Sequence, residues 1–386
     1  MKLLIVNNLY YPFQVGGAER SVEQLVLGLR DRGHDCRVLS LGVGNSSNID
    51  FRMSYPFMNR IWPVNDKRNF IHRLFFQFFG DYFSFHLKKQ FMMVLQEYKP
   101  DVVHTNNLAG IGDWIWKECR NKNIKVVHTL RDYYQICAKQ TMWSEEGGEC
   151  SSQCRKCRIL TSPRKQCSKS VDVVVGNSRY TLDRHLTCGY FESARAHVIS
   201  GGLASDFGKN HISTDCIEIF DVGYIGQIIP SKGVEVFLEF VRSEGVSALV
   251  AGTGPLDYVN HLKEVYRDSK VTWLGRVAPE EFYSRVGLVV VPSLWPEPLP
   301  RVVYEAYAYG LPVIASAVGG NPDVLFPDHR MGLFLPDNLI DLVRAYREIS
   351  SLVDSTTTNT LIEYSKMFSR ENVVSNYLEL YKEVLV

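Results

Sequence analysis

Lys2-Leu3-Leu4-Ile5-Val6, then Val15-Gly16-Gly17-Ala18-Glu19, then a run in which Val22, Leu25, Val26 and Leu29 recur at helical spacing, is the stretch that decides the fold. A short apolar run suits a parallel strand buried on both faces. The glycine pair reads as a loop, and steps of three and four residues put the apolar side chains on one face of a helix. Arg30-Asp31-Arg32-Gly33-His34 supplies a glycine stop before a second strand, Cys36 to Leu41. Strand, glycine loop, helix, strand is the building block of a parallel α/β sheet.

The same unit recurs. Asp101 to His104, Ile124 to Thr129 and Val171 to Val175 are the next strand candidates. A second series starts near Phe220 with Val222-Gly223-Tyr224-Ile225-Gly226 and continues at Ala248 to Gly252, Val271 to Leu274, Leu288 to Val291 and Val313 to Ala315. Between the two series, Gly201 to Ser213 is dense in glycine, serine and asparagine and lacks apolar periodicity, as a linker does. The expected fold class is α/β, with two Rossmann-like domains.

Composition bounds the function. With 386 residues, 45% of them hydrophobic, the chain has apolar material for two cores of ordinary size. Apolar stretches such as Val171 to Val175 fall far short of the roughly 18 to 20 residues of a spanning helix, and the N-terminus lacks a signal-peptide pattern. A cytoplasmic location is expected. The net charge of +1 conceals an asymmetry: residues 1–210 hold 29 Lys and Arg against 19 Asp and Glu, and residues 211–386 hold 14 against 23. That split argues against a general nucleic-acid binder. It fits either a first half that meets an anionic membrane surface or phosphorylated lipid, or two halves that attract each other.

Glu297 and Glu305 bracket Pro298-Leu299-Pro300-Arg301-Val302-Val303-Tyr304, directly after a strand. On a helix beginning near Leu299, Glu305 lies about two turns from the loop that holds Glu297. A helix start offers free N–H groups to a diphosphate, and two carboxylates can accept hydrogen bonds from sugar hydroxyls.

The run from Trp295 through Glu305 to Ala306, with Gly310-Leu311-Pro312-Val313-Ile314-Ala315 and Gly319-Gly320-Asn321, resembles the donor-site signature of glycosyltransferase family 4. Other segments are similar to the family in the same order: Gly16-Gly17-Ala18-Glu19, Gly226 through Lys232-Gly233, Gly252-Thr253-Gly254-Pro255 and Leu274-Gly275-Arg276-Val277. The resemblance covers nearly the whole chain. It implies a GT-B fold, two Rossmann-like domains facing each other across a cleft, with an acceptor domain at 1–205 and a nucleotide-sugar domain at 206–370. The helix at 371–386 is implied to cross back onto the first.

By that resemblance Glu305 would hold the ribose hydroxyls, Glu297 the transferred sugar, Lys232 the diphosphate, and backbone groups from Leu299 through Arg301 to Val302 the distal phosphate. Gly252, Gly254, Arg276 and Val277 would complete the nucleotide contacts. Gly16 and Gly17 would let the first domain approach the diphosphate, since a residue without Cβ permits close contact. Two positions depart from the family pattern. Gln227 stands where the family usually has an arginine beside the diphosphate, a loss for which Arg301 is a candidate substitute. Arg131, in Thr129-Leu130-Arg131-Asp132-Tyr133-Tyr134, stands where the pattern has a histidine. An arginine cannot act as a base near neutral pH, but it can bind phosphate or stabilise leaving-group charge. His104 and His128 are further candidates, with a structural role the commoner one for a histidine at a strand end.

The implied reaction is transfer with retention at the anomeric carbon from a UDP- or GDP-sugar to a glycan or lipid-linked acceptor in cell-surface polysaccharide synthesis. The enzyme would be peripheral on the inner face of the plasma membrane, with Glu297, Lys232 and Arg131 as its catalytic set. No Asp-x-Asp motif is present, and no catalytic metal is expected. The competing readings are an inactive sugar-nucleotide-binding subunit and a sugar-nucleotide epimerase of the same fold.

Two features lie outside that signature. Cys137, Cys150, Cys154 and Cys157 include a Cys-x-x-Cys pair that suits a structural zinc, with Cys167 as an alternative ligand and free thiols or an iron–sulfur site as the other readings. Between Arg52 and Gln90, Arg60, Lys67, Arg68, Arg73, Lys88 and Lys89 alternate with Phe70, Phe75, Phe76, Phe78, Phe79, Phe83 and Phe85. That composition fits a helix on anionic headgroups, a groove for a lipid-linked acceptor, or packing on the first sheet.

Overall fold

The computed structural model describes residues 1–10, 16–41, 49–53, 85–144, 148–205, 207–208, 218–352 and 355–386. Most of the basic aromatic segment lies outside the described residues, which resume with the Phe85–Tyr98 helix. The chain forms two compact units. The first comprises Met1–Met142, Ser151–Gly202 and Arg370–Val386; the second comprises Trp143–Cys150 and Leu203–Ser369.

In the first unit the strands are β1 (Lys2–Val6), β2 (Asp35–Leu41), β3 (Phe51–Met53), β4 (Val102–Thr105) and β5 (Lys125–Leu130). After a short hairpin, β6 (Trp143–Ser144) and β7 (Gly148–Glu149), come β8 (Val173–Gly176) and β9 (Arg195–Val198). The hairpin aside, the strands form one parallel sheet in the order β3-β2-β1-β4-β5-β8-β9. β1 is fully covered from Leu3 to Val6, as its apolar run requires. The predicted face of the Gly17–Asp31 helix, Val22, Leu25, Val26 and Leu29, packs into the same core as Val373, Val374, Tyr377 and Tyr381 of the Arg370–Leu385 helix. Gly28 permits that crossing, because a Cβ there would sit 2.5 Å from a Val374 methyl.

Three histidines are buried in the first unit. His104 joins Tyr381 at 2.6 Å and Thr129 at 2.7 Å, and Thr129 in turn joins Tyr377 at 2.8 Å. His128 pairs with Thr105 at 2.8 Å and Gln135 at 3.1 Å. His185 bonds the Thr181 carbonyl at 2.8 Å. Both ring nitrogens of His104 and His128 are thus taken by the protein's own groups.

The second unit carries β10 (Val222–Ile225), β11 (Ala248–Ala251), β12 (Val271–Gly275), β13 (Val289–Val291), β14 (Val313–Ser316) and β15 (Leu333–Phe334). They form a parallel sheet in the order β12-β11-β10-β13-β14-β15, with apolar cores on both faces. The strand order reverses between β10 and β13, and such a switch point opens a crevice at the carboxyl ends of the strands.

Burial holds the His128 imidazole down to about 3 and His185 down to about 4, from an ordinary value of 6.5. Below pH 6.5 the unfolded chain binds protons at these sites that the folded chain does not. Their contribution to stability is therefore complete above that pH and is lost as acidity rises toward pH 4, at about 1.4 kcal/mol per pH unit for each histidine. Urea unfolding across this window is expected to show the decline, and His185→Gln to reduce its slope; an unchanged slope would contradict the assignment.

Candidate functional site

The loops that leave the second sheet at its switch point are held by backbone contact. After β10 the chain passes Gly226 and Gln227 into a short 3-10 turn, Pro230–Lys232, and Gly233 adopts φ 68° before the Val234–Glu244 helix. Glycine is required there, because a Cβ would lie 1.8 Å from the Pro292 carbonyl oxygen. Gly252, at φ 138°, and Gly254 sit equally close to the Gly226 and Ile228 carbonyls, at 1.7 and 1.9 Å for the same hypothetical atom. The Tyr224 hydroxyl donates to the Gln227 carbonyl at 2.6 Å, fixing the turn from below. The Gln227 side chain points outward.

This geometry brings Lys232, from the β10 loop, to Glu297, from the β13 loop. Lys232 Nζ lies 2.8 Å from Glu297 Oε1, with the two side chains 19% and 13% exposed. Ser293 Oγ donates to the same carboxylate oxygen, and the Lys232 ammonium stands 5.2 Å from the centre of the Trp295 ring. The Glu297 carbonyl accepts from Gly320 N at 2.7 Å, which pins the backbone that carries the carboxylate. Among the sequence candidates, Lys232 and Glu297 are joined directly.

The helix that follows runs Arg301–Ala308, so Leu299 precedes it and Arg301 and Val302 form its first turn; the start is two residues later than the sequence suggests, because Pro300 occupies the cap position. One turn in, Glu305 is buried, accepting from Arg301 Nε at 3.0 Å and from the Tyr283 hydroxyl at 3.1 Å. Burial and the adjacent Glu305 carboxylate hold the Tyr283 phenol well above its ordinary range, so it acts only as a donor. Arg301 is thus already committed to Glu305. Arg276 is exposed just past β12, and Val277 packs partly into the core.

In the first unit, Gly16 caps the Gly17–Asp31 helix, its N–H donating to Glu19 Oε2 at 2.9 Å. Arg131 follows β5 and is aimed by a 2.8 Å bond from its Nε to Asn106 Oδ1. Its neighbour Asp132 accepts from Asn107 Nδ2 at 2.6 Å and from Tyr134 N at 2.8 Å, and burial pushes its carboxyl up to about 6. Ser293, Tyr283, Asn106 and Asn107 escaped the sequence reading, since single polar residues with no spacing pattern carry no signal until the chain folds around them.

All four of Cys137, Cys150, Cys154 and Cys157 are free thiols, and among the described residues no group of three or more His, Cys, Asp or Glu side chains is arranged to hold a metal. Cys154 caps the Arg155–Leu160 helix by accepting from Cys157 N at 3.5 Å. The Cys157 thiol donates to Cys137, lowering Cys137 to about 5 and raising Cys157.

Comparison with known proteins bears on the family and the fold. The family model described as Glycosyltransferase Family 4 matches residues 15–207, and that described as Glycosyl transferases group 1 matches 219–351. An uncharacterized 42.6 kDa protein in the cps region of Klebsiella pneumoniae is 30% identical over 99% of this chain and 100% of its own length. Among solved structures, sucrose-phosphate synthase from Thermosynechococcus elongatus superposes with a TM-score of 0.71 at 20% identity, covering 99% of this chain and 98% of that one. The Anabaena protein HepE in complex with UDP-glucose gives 0.68 at 18% identity, covering 99% and 100%. Two parallel α/β sheets with this likeness make the fold GT-B, and the chain belongs to glycosyltransferase family 4.

Proposed function

We propose that this glycosyltransferase takes a sugar from a UDP- or GDP-sugar and passes it, with retention at the anomeric carbon, to a glycan or lipid-linked acceptor in the building of a cell-surface polysaccharide. The observation that carries the reading is the Lys232–Glu297 pair at the switch point of the second sheet, followed in the chain by a helix start and a buried, doubly hydrogen-bonded Glu305. The relative encoded in a cps region of Klebsiella pneumoniae supports the pathway, and the UDP-glucose held by HepE supports the donor class.

In this reading a diphosphate competes with Glu297 for the Lys232 ammonium. Once Lys232 turns to phosphate, Glu297 becomes available to the hydroxyls of the transferred sugar, while Ser293 keeps its carboxylate oriented. N–H groups of the first turn after Pro300 and the cation of Lys232 stabilise the departing diphosphate, and that electrostatic term dominates the rate. Glu305, held in place by Arg301 and Tyr283, accepts from the ribose hydroxyls. Gly252 and Gly254 leave the phosphate path open, and Arg276 and Val277 flank the base. In the first unit Arg131 supplies a fixed cation, since its guanidinium cannot serve as a base. No catalytic metal enters the scheme. The enzyme works in the cytoplasm on the inner face of the membrane; among the described residues no helix is long and apolar enough to cross a membrane.

Calorimetry with UDP, GDP and ADP is expected to find one nucleotide that binds, with Glu305→Gln weakening it by about 1 to 3 kcal/mol, as loss of charged hydrogen bonds does; equal binding by the variant would sink the ribose assignment. In turnover, Lys232→Met should lower kcat by roughly a hundredfold to a thousandfold. An anomeric proton spectrum of the product should match the donor's configuration, and an inverted product would overturn the retaining reading.

A further inference from the structure

The first unit has a feature that the sugar-transfer chemistry does not use. A concavity of about 340 Å³ is lined by Arg120, Lys125, Lys169 and Arg195, with Asp172 as the sole acid in its wall and Val384 as an apolar side. Four cations against one carboxylate leave a strong excess of positive charge in a space the size of one headgroup. Lys125 opens β5, Asp172 stands just before β8 and Arg195 opens β9, so the concavity lies at the amino ends of these strands. Arg131 follows the carboxyl end of β5, at the other end of the same sheet.

The two guanidinium groups are held by backbone carbonyls. Arg120 donates from Nη1 to the Lys169 carbonyl at 2.6 Å, and Arg195 from Nη2 to the Glu383 carbonyl at 3.3 Å. Each guanidinium therefore keeps other N–H donors for a ligand while its position is set by backbone, and a planar fork of donors matches phosphate oxygens. Asp172 offsets one of the four cations: Oδ2 accepts from Val126 N at 2.8 Å, and Oδ1 forms a long ion pair with Lys125 Nζ at 3.9 Å, which leaves an excess of three positive charges. Lys125 is 46% exposed and Lys169 is likewise at the surface, so an anion reaches both without crossing protein. The basic excess of residues 1–210, 29 cations against 19 acids, draws such a ligand toward this half of the chain.

We infer that Arg120, Lys125, Lys169 and Arg195 form a binding site for a phosphate group, separate from the sugar-transfer chemistry. That phosphate is carried by an anionic lipid headgroup or by a soluble phosphate compound.

Two arms distinguish the sources. Full-length protein is sedimented with phosphatidylcholine vesicles, with and without phosphatidylglycerol, at several salt concentrations, and inorganic diphosphate is titrated calorimetrically. The comparison is Lys125→Glu with Lys169→Glu. Salt-sensitive binding to the phosphatidylglycerol vesicles that falls about tenfold or more in the variant assigns a lipid headgroup. Diphosphate binding by the first unit that the variant loses, without vesicle binding, assigns a soluble phosphate. Lys169→Gln, which removes one surface charge, repeats the comparison should the double variant fail to fold, and thermal melting reports on that. Absence of binding in both arms, or binding that the variants retain in full, overturns the site.

Discussion

Backbone against backbone at the carboxyl ends of the second sheet is the constraint on which the site depends. Gly233 meets the Pro292 carbonyl, Gly252 meets Gly226, Gly254 meets Ile228, and Gly319 meets Glu297, each closer than any side chain permits. Four loops from different strands are locked together at these points, so the side chains they carry cannot drift independently. Lys232 finds Glu297 because Gly233 turns left-handed directly after it and Gly319 and Gly320 hold the Glu297 main chain. Rigid loops on a parallel sheet are the means by which sparse polar residues are kept in register for chemistry.

The same site shows how a protein keeps charge under cover. A carboxylate withdrawn from water is costly unless paired and hydrogen-bonded. Glu305 has Arg301 on one oxygen and Tyr283 on the other; Glu297 has Lys232 and Ser293. Arg301 spends Nε and one Nη on Glu305, so it stands anchored beside the helix start. With Gln227 neutral, Lys232 is the cation that loop carries, and it is paired with Glu297.

The long apolar strands were legible from the sequence: β1, β4, β5, β8, β10, β11 and β14 all fall within a residue or two of their apolar runs. β3, β9 and β15 were not, being edge strands of two to four residues with mixed polarity, which a sheet recruits only after its centre exists. In the site, glycine spacing and paired glutamates were readable because close approach and charge restrict residue type. Tyr283 and Ser293 were invisible because many polar residues could look the same before the fold brings one of them to a carboxylate. The Cys-x-x-Cys spacing carries two readings at once, since a spacing that suits metal equally suits a thiol cap on a helix, and Cys154 forms such a cap.

The Arg370–Leu385 helix belongs to the first unit although the whole second unit precedes it in the chain. Tyr377 and Tyr381 complete the hydrogen-bond chain through Thr129 and His104 beneath the first sheet. During synthesis from the N-terminus the second unit is therefore made in full while the first still lacks a wall of its core. The half of the protein begun first is the half finished last, and until that helix docks, His104 and Thr129 lack the two phenol hydroxyls that close their hydrogen bonds.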